Sequence, residues 1–374
     1  MKIAILTQPL GKNYGGIIQA YALQQVLIEL GHEPTTVNRF SKTPLYIKAL
    51  MPAKPLIYKV LGRKYYKNLS KEQEAYVYGD MKIFISNYMS FSKPILNTKD
   101  LKRYFKKGKF DIAVVGSDQV WRPKYSPDIY NYFGDFLRNK KQIISYAASF
   151  GVDNWEFTKK QTDTCKKLVK KFKAVSVRES SAIDLCHQYL GADAELVLDP
   201  ALLLSKDDYQ KVISSCKGIK KNSGILTYIL DRNETKTEIV SYVKHKLKKE
   251  TFSAQPKRLL DDTSSKNIED YKYPPVEQWL SSFKDADFIV TDSFHGTAFS
   301  VIFNKPFIAI GNAERGISRF KSILGLLGLE ERLILDTDTD KIDTLINQEI
   351  DWSNVNSVLS DYKEKSKSFL RKAL

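Results

Sequence analysis

The sequence predicts an α/β protein built as two successive units of strands and helices, and three observations carry that reading. The chain has 374 residues, room for two domains at about 150 residues each. Short β-rich runs alternate with helical patterns, the mark of βα units around parallel sheets. That alternation restarts after Asp199-Pro200. A composition of 43% hydrophobic, 27% charged and 12% aromatic residues is that of a folded globular chain and excludes a disordered, collagenous or disulfide-scaffold one.

Residues 2–6 open the chain as a strand. After a polar turn, a helix over about 16–30 places Leu23, Val26, Leu27 and Leu30 on one face, with Gly31 at its C-terminal cap. Residues 41–92 break the rhythm, being basic, aromatic and punctuated by Pro44, Pro52 and Pro55, and read as an insertion. Residues 111–115, 143–147, 174–177 and 195–198 supply further strands of the first sheet. In the second unit, 224–230, 287–291 and 307–310 read as strands and 234–248 as a helix. Residues 355–374 carry Val358, Tyr362 and Phe369 at helical spacing. The expected division is 1–200, 201–350 and a terminal helix in 351–374.

The balance of 59 Lys+Arg against 43 Asp+Glu leaves +16, which favours anions: nucleic acid, acidic membrane, a phosphorylated ligand or a polyanionic glycan. Between residues 34 and 71 there is no acidic residue, against Arg39, Lys42, Lys48, Lys54, Lys59, Arg63, Lys64, Lys67 and Lys71. With Leu50, Leu56, Ile57, Tyr58, Leu61, Tyr65 and Tyr66 interleaved, this stretch suits a segment lying on anionic head groups or a pyrophosphate-linked acceptor. It suits a solvated basic helix pair equally well. No helix-turn-helix, RNP-like or zinc-finger signature accompanies it, so no nucleic-acid partner is expected.

Cys165, Cys186 and Cys216 form no C-x-x-C pair, which points to neither a zinc cage nor a disulfide framework and fits a reducing cytoplasm. The apolar run at the N-terminus is too short for a signal peptide, and no stretch approaches the ~18 apolar residues of a spanning helix. The expectation is a cytoplasmic protein, with peripheral attachment to the inner face of the membrane as an option. No metalloprotease, EF-hand, P-loop or G-x-S-x-G motif is present, and no metal site is expected.

Candidate chemistry gathers in loops at the C-terminal ends of strands, where open α/β sheets bind ligands. The first, Gly11 to Gly16, leads into a helix N-terminus that suits an anion or polar ligand, and its glycines equally make a tight turn. Gly116-Ser117-Asp118-Gln119-Val120-Trp121 offers Asp118 as a general base, or Ser117 and Asp118 as helix caps. Arg178, after a β-branched strand, is either a bidentate anion clamp or half of a surface pair with Glu179. The sharpest loop runs Thr291-Asp292-Ser293-Phe294-His295-Gly296-Thr297. Its histidine sits at a strand-to-helix turn with a side chain suited to proton transfer near neutrality. After the next strand, Arg315 and Arg319 offer a second anion clamp.

Taken together, these loops resemble the polysaccharide pyruvyl transferase family. The matching pieces are NYGGIIQAYALQ at 13–24, GSDQVW at 116–121, SYAASFG at 145–151, VSVRE at 175–179, LDP at 198–200 and TDSFHGTAFS at 291–300, in the family's order. The resemblance implies two Rossmann-like domains facing across a cleft, similar to GT-B glycosyltransferases. The first is on the acceptor side and the second on the donor side, with the C-terminal helix returning to the first. It implies transfer of pyruvate as a cyclic ketal from phosphoenolpyruvate, as donor substrate with no cofactor, to a sugar hydroxyl pair. The acceptor would be a glycan or lipid-linked oligosaccharide in capsule, exopolysaccharide or cell-wall assembly.

By matching motif, His295 falls on the family's essential histidine and Arg178 on its strand-end arginine. Ser293 stands where some members carry arginine, and Arg315 lies nearest a lysine found in others. The chemistry this implies has His295 protonate the donor's methylene carbon. Arg178, Ser293, Gly296, Thr297, Arg315 and Arg319 bind the donor's carboxylate and phosphate. Asp118 is the second catalytic residue, accepting the acceptor's proton, and Asn13, Tyr14, Gly15, Gly16, Ser117 and Trp121 hold the acceptor with it. Two other readings stand beside this one: a GT-B nucleotide-sugar glycosyltransferase, and a non-enzymatic basic protein that binds membrane or polyanion.

Overall fold

The structure is a computed structural model that describes residues 1–41, 69–137, 142–260, 262, 265–311 and 316–374. Strand β1 (Lys2–Leu6) lies between β2 (Glu33–Thr36) and β3 (Ile112–Val115), and β4 (Gln142–Ser145) follows β3, all parallel, in the order β2-β1-β3-β4. A second parallel sheet has the order β11-β10-β9-β7-β8, from β7 (Ile225–Tyr228), β8 (Thr251–Ser253), β9 (Phe288–Thr291), β10 (Phe307–Ile310) and β11 (Leu333–Ile334). Strands β3, β9 and β10 are buried at every position, as strands covered by helices on both faces must be. Their C-terminal ends open toward the junction between the two halves.

Residues 174–177 and 195–198, expected in the first ladder, are shorter and set apart. Here β5 (Ser176–Val177) and β6 (Glu195–Leu196) make a two-stranded parallel pair, tied to the first sheet by single bridges from Ala174 to Ile144 and from Val177 to Ala148. This offset carries Arg178 and Asp199 under the end of β3.

Helix α1 (Tyr14–Glu29) starts at Asn13, whose side chain accepts from the Gly16 amide. It is buried on nearly every side, so its glutamines need internal partners. Gln19 donates to Thr7 Oγ1 (2.8 Å) and Gln24 to Thr36 Oγ1 (2.6 Å). The halves meet on this helix: the Tyr14 ring stacks on Trp279 at 5.2 Å and its hydroxyl donates to the Pro274 carbonyl (2.6 Å). The helix Trp352–Ala373 returns to the first half, where Ser366 Oγ accepts from the Leu198 amide (3.0 Å) and Lys363 donates to the Leu204 carbonyl (2.9 Å). One apolar cluster runs from Ile3 and Leu23 through Trp279 and Phe299 to Leu370.

The described end of the insertion is packed against the body. Helix Lys71–Val77 begins with a capping box at Ser70, and helix Gly79–Tyr88 sets Phe84 edge-on against Tyr21. Arg39, read as part of the basic surface, is buried instead, its Nε donating to Asn131 Oδ1 (2.8 Å). Residues 42–68, which hold most of the basic stretch assigned to a membrane or anionic acceptor, lie outside the described residues. Among the described residues no helix is long and apolar enough to cross a membrane.

Candidate active site

Three strand-end turns of the first half converge on one carboxylate. After β6, Asp199 caps a short turn, its Oδ1 accepting from the Ala201 amide (3.0 Å). Its Oδ2 accepts from Ser117 Oγ (2.8 Å), which follows β3, and from Arg178 Nη1 (2.6 Å), which follows β5. Arg178 Nη2 reaches Asp118 Oδ1 (3.2 Å), which also accepts from the Gln119 amide (2.9 Å). Asp118 sits at φ +75°, a left-handed conformation that non-glycine residues adopt mainly where neighbours impose it. The adjoining Glu179 is also buried, with Oε1 accepting from Ser149 Oγ and the Phe150 and Gly151 amides.

The second half brings the histidine. Ser293 caps the helix Phe294–Ile302, accepting from the Gly296 amide (3.3 Å), so His295 lies in the first turn and faces the first half. Its Nε2 is 3.8 Å from Asp199 Oδ1, beyond hydrogen-bond range. On the other edge the imidazole packs on Gly15 so closely that a Cβ there would overlap the ring. Phe294 lies between cations, with the Arg178 guanidinium 4.8 Å and that of Arg319 5.9 Å from its ring centre.

Burial pushes the His295 pKa below its ordinary value, only partly opposed by Asp199. Burial would raise Asp199, but the His295 ring whenever it is protonated, the Arg178 guanidinium and the Ala201 amide outweigh it and keep the carboxyl below its usual range. The resting site therefore holds a neutral imidazole beside an ionised Asp199.

In front of His295 opens a cavity of about 590 Å³ between the halves. Asn13, Gly16, Asp118, Ser293, His295 and Arg319, all anticipated from sequence, are on its wall, together with Gln8, Gln119, Tyr125, Leu230, Asp231 and Asp292. Asp292 shapes the rim, accepting from the Leu230 and Asp231 amides (2.6 and 3.0 Å) and from the buried Lys236 ammonium (2.6 Å).

Other anticipated residues stand elsewhere. Trp121 is not an acceptor platform: fully buried, it stacks on Phe133 at 5.0 Å and donates Nε1 to the Tyr132 carbonyl. Arg178 is neither an open clamp nor a surface partner of Glu179, because its side chain has no exposed area and its terminal nitrogens are taken by Asp199 and Asp118. Gly15 lies in the seam between the halves, Tyr14 lies there too and lines a second cavity beside this one, and Ser117 is buried on Asp199. The Gly296 amide is occupied by Ser293, and the buried Thr297 hydroxyl donates to the Ser293 carbonyl, so neither is a free donor for an anion. Arg315 lies outside the described residues.

Asp199 was in the matched LDP piece but had no role assigned. Its partners are 21 and 82 residues away for Arg178 and Ser117, a separation no local pattern encodes. Among the described residues no group of three or more His, Cys, Asp or Glu is placed to hold a metal ion.

A search of curated proteins finds no match by sequence. Solved structures do match. The UDP-GlcNAc 2-epimerase of Neisseria meningitidis, bound to UDP-GlcNAc, is 9% identical, with 100% of this chain and 99% of that one covered and a TM-score of 0.53. That of Rickettsia bellii is 11% identical, with 99% and 95% covered and a TM-score of 0.53. That of Methanocaldococcus jannaschii is 13% identical, with 99% of both covered and a TM-score of 0.51. At such identities the likeness is one of fold alone, the GT-B type with two Rossmann-like halves across a cleft. A model of one family, polysaccharide pyruvyl transferase, matches residues 13–314 and so takes in both walls of the cavity, from Asn13 to His295; the chain belongs to the polysaccharide pyruvyl transferase family.

Proposed function

We propose that the protein transfers pyruvate from phosphoenolpyruvate to two hydroxyls of one sugar in a surface polysaccharide or its precursor, forming a cyclic ketal and releasing phosphate. The observation that carries this reading is the placement of His295, Asp118 and Arg319 on one cavity, within a chain of this family.

The enol phosphate is inert until its methylene carbon takes a proton. His295 supplies it, leaving an oxocarbenium-like carbon that the first sugar hydroxyl attacks. The second hydroxyl then forms the second C–O bond as the C–O bond to phosphate breaks, its electron pair leaving with the phosphate. One hydroxyl proton restores His295 and the other departs on phosphate or by way of Asp118. His295 is neutral at rest, so the donor must charge it. A phosphate dianion beside the ring raises its pKa and couples donor binding to protonation. Arg319 and the two leading amides of the helix Phe294–Ile302, those of Phe294 and His295, receive the anion, while Arg178 holds Asp199 and Asp118 in place behind it. Donor binding through Gly296 and Thr297 drops out of this reading.

Phosphate release from phosphoenolpyruvate, with glycosides of galactose, glucose and N-acetylhexosamines as acceptors, tests the reading. The product should have the acceptor's mass plus pyruvate minus water, and absence of acceptor-dependent release overturns it. A nucleotide-sugar donor is the second reading, favoured by the fold likeness to proteins that handle UDP-GlcNAc. Thermal stabilisation by nucleotide sugars and not by phosphoenolpyruvate would select it.

A further inference from the structure

Beside the catalytic cavity lies a second one of about 280 Å³, sharing Asn13, Leu230 and Asp231 with it. The two adjoin along these three residues. Each half contributes an aromatic wall: Tyr78 from the insertion and Tyr273 from the second half stack at 5.1 Å, and the Tyr273 amide donates to the Val77 carbonyl (3.0 Å). Leu259 and Gln255 line the cavity too. The Gln255 side-chain amide has no hydrogen-bond partner among the described residues, although the residue is nine-tenths buried. The Asn13 carbonyl oxygen is spent on its helix cap, which leaves its NH2 for whatever fills the cavities.

The electrostatics of this space differ from those of the catalytic cavity. Among its described lining residues there is no arginine or histidine, and the one cation, Lys12, is already paired with Glu74 at 2.7 Å. A phosphate or diphosphate group would be poorly received. Aromatic faces with amide donors and acceptors match a neutral pyranose, which presents C–H faces and ring hydroxyls.

We infer that this second cavity is a subsite for the sugar next to the one that is modified, so that the enzyme recognises at least a disaccharide. The inference rests on the proposed reaction and names its acceptor class. The subsite is built from both halves, so acceptor length is read where the cleft closes.

The experiment compares p-nitrophenyl mono- and disaccharide glycosides that share one terminal sugar, by phosphate release and by calorimetric titration. The wild type should favour the disaccharide at least tenfold in kcat/KM. Gln255→Ala and the plugging variant Leu259→Trp should each bring that ratio to within about twofold of one, with unchanged circular dichroism. Phosphate release with no length preference in the wild type overturns the subsite and leaves the reaction standing. If no acceptor supports release, the reaction falls and titration decides the subsite: equal affinity for the two lengths overturns it. UDP binding that Leu259→Trp abolishes would also overturn it, in favour of a nucleotide.

Discussion

The two halves bring opposite kinds of chemistry to one cavity. In the first half the charges around Asp199 are held in a network: Arg178 binds Asp199 and Asp118, and Asp199 also takes Ser117 and a backbone amide, leaving the buried Arg178 Nε and Glu179 Oε2 without a hydrogen bond. In the second half His295 keeps an Nε2 with no hydrogen bond. A buried network with its members paired is a rigid support, whereas an unpaired buried nitrogen is reactive or costly. In the proposed reaction, fixed electrostatics and the transferred proton thus come from different halves, which meet across the cavity.

Four experiments break or sharpen that division, from the largest effect to the smallest. His295→Ala should lower phosphate release by about 10³-fold or more, within the range of a lost general acid, with an unchanged unfolding midpoint; near-wild-type turnover would end its assignment. Arg178→Ala should act first on stability, by about 3 to 5 kcal/mol, because it strands buried carboxylates. Urea unfolding measures this, and a fully stable variant with only a raised KM for phosphoenolpyruvate would restore the open-clamp role. Gly15→Ala should push the buried imidazole aside and cut kcat about a hundredfold, at a cost in stability of about 1 to 3 kcal/mol for the overpacked seam. Normal kcat would show that the seam yields.

The fourth experiment concerns pH. His295 is lowered in the free enzyme, so kcat/KM should fall as pH rises through a value below 6.5, the ordinary histidine value. In the donor complex the phosphate raises it, so kcat should hold to higher pH before falling. His295→Gln should abolish both limbs, and coincident limbs in the wild type would argue against donor-driven protonation.

His295 could be found in the sequence because the signals around it are local: an apolar strand, a turn, a capping serine and a helix, all between residues 288 and 302. Asp199 could not be assigned, since its meaning comes from partners on three other turns. Arg178 was found but misjudged: strand-end position is local, while the carboxylates that enclose it are not. Trp121 shows the converse, an aromatic beside a polar loop that folds inward onto Phe133. The sheets followed the same rule. The apolar runs of β3, β9 and β10 announced themselves, whereas β8 and β11, with three and two residues, are too short for any periodicity and exist through pairing alone.

Helix α1 is buried nearly all round, yet the cover of its first turn comes from the far end of the chain: Trp279 on Tyr14 and the His295 ring on Gly15. A ribosome adds about 5–20 residues per second, so Tyr14 emerges roughly ten to fifty seconds before Trp279. During translation this helix has its first-half partners, Thr7, Thr36 and Phe84, but its N-terminal turn stays uncovered. It is the segment on which a chaperone would be expected to act, and a chain truncated before residue 279 should aggregate instead of folding as a free first half.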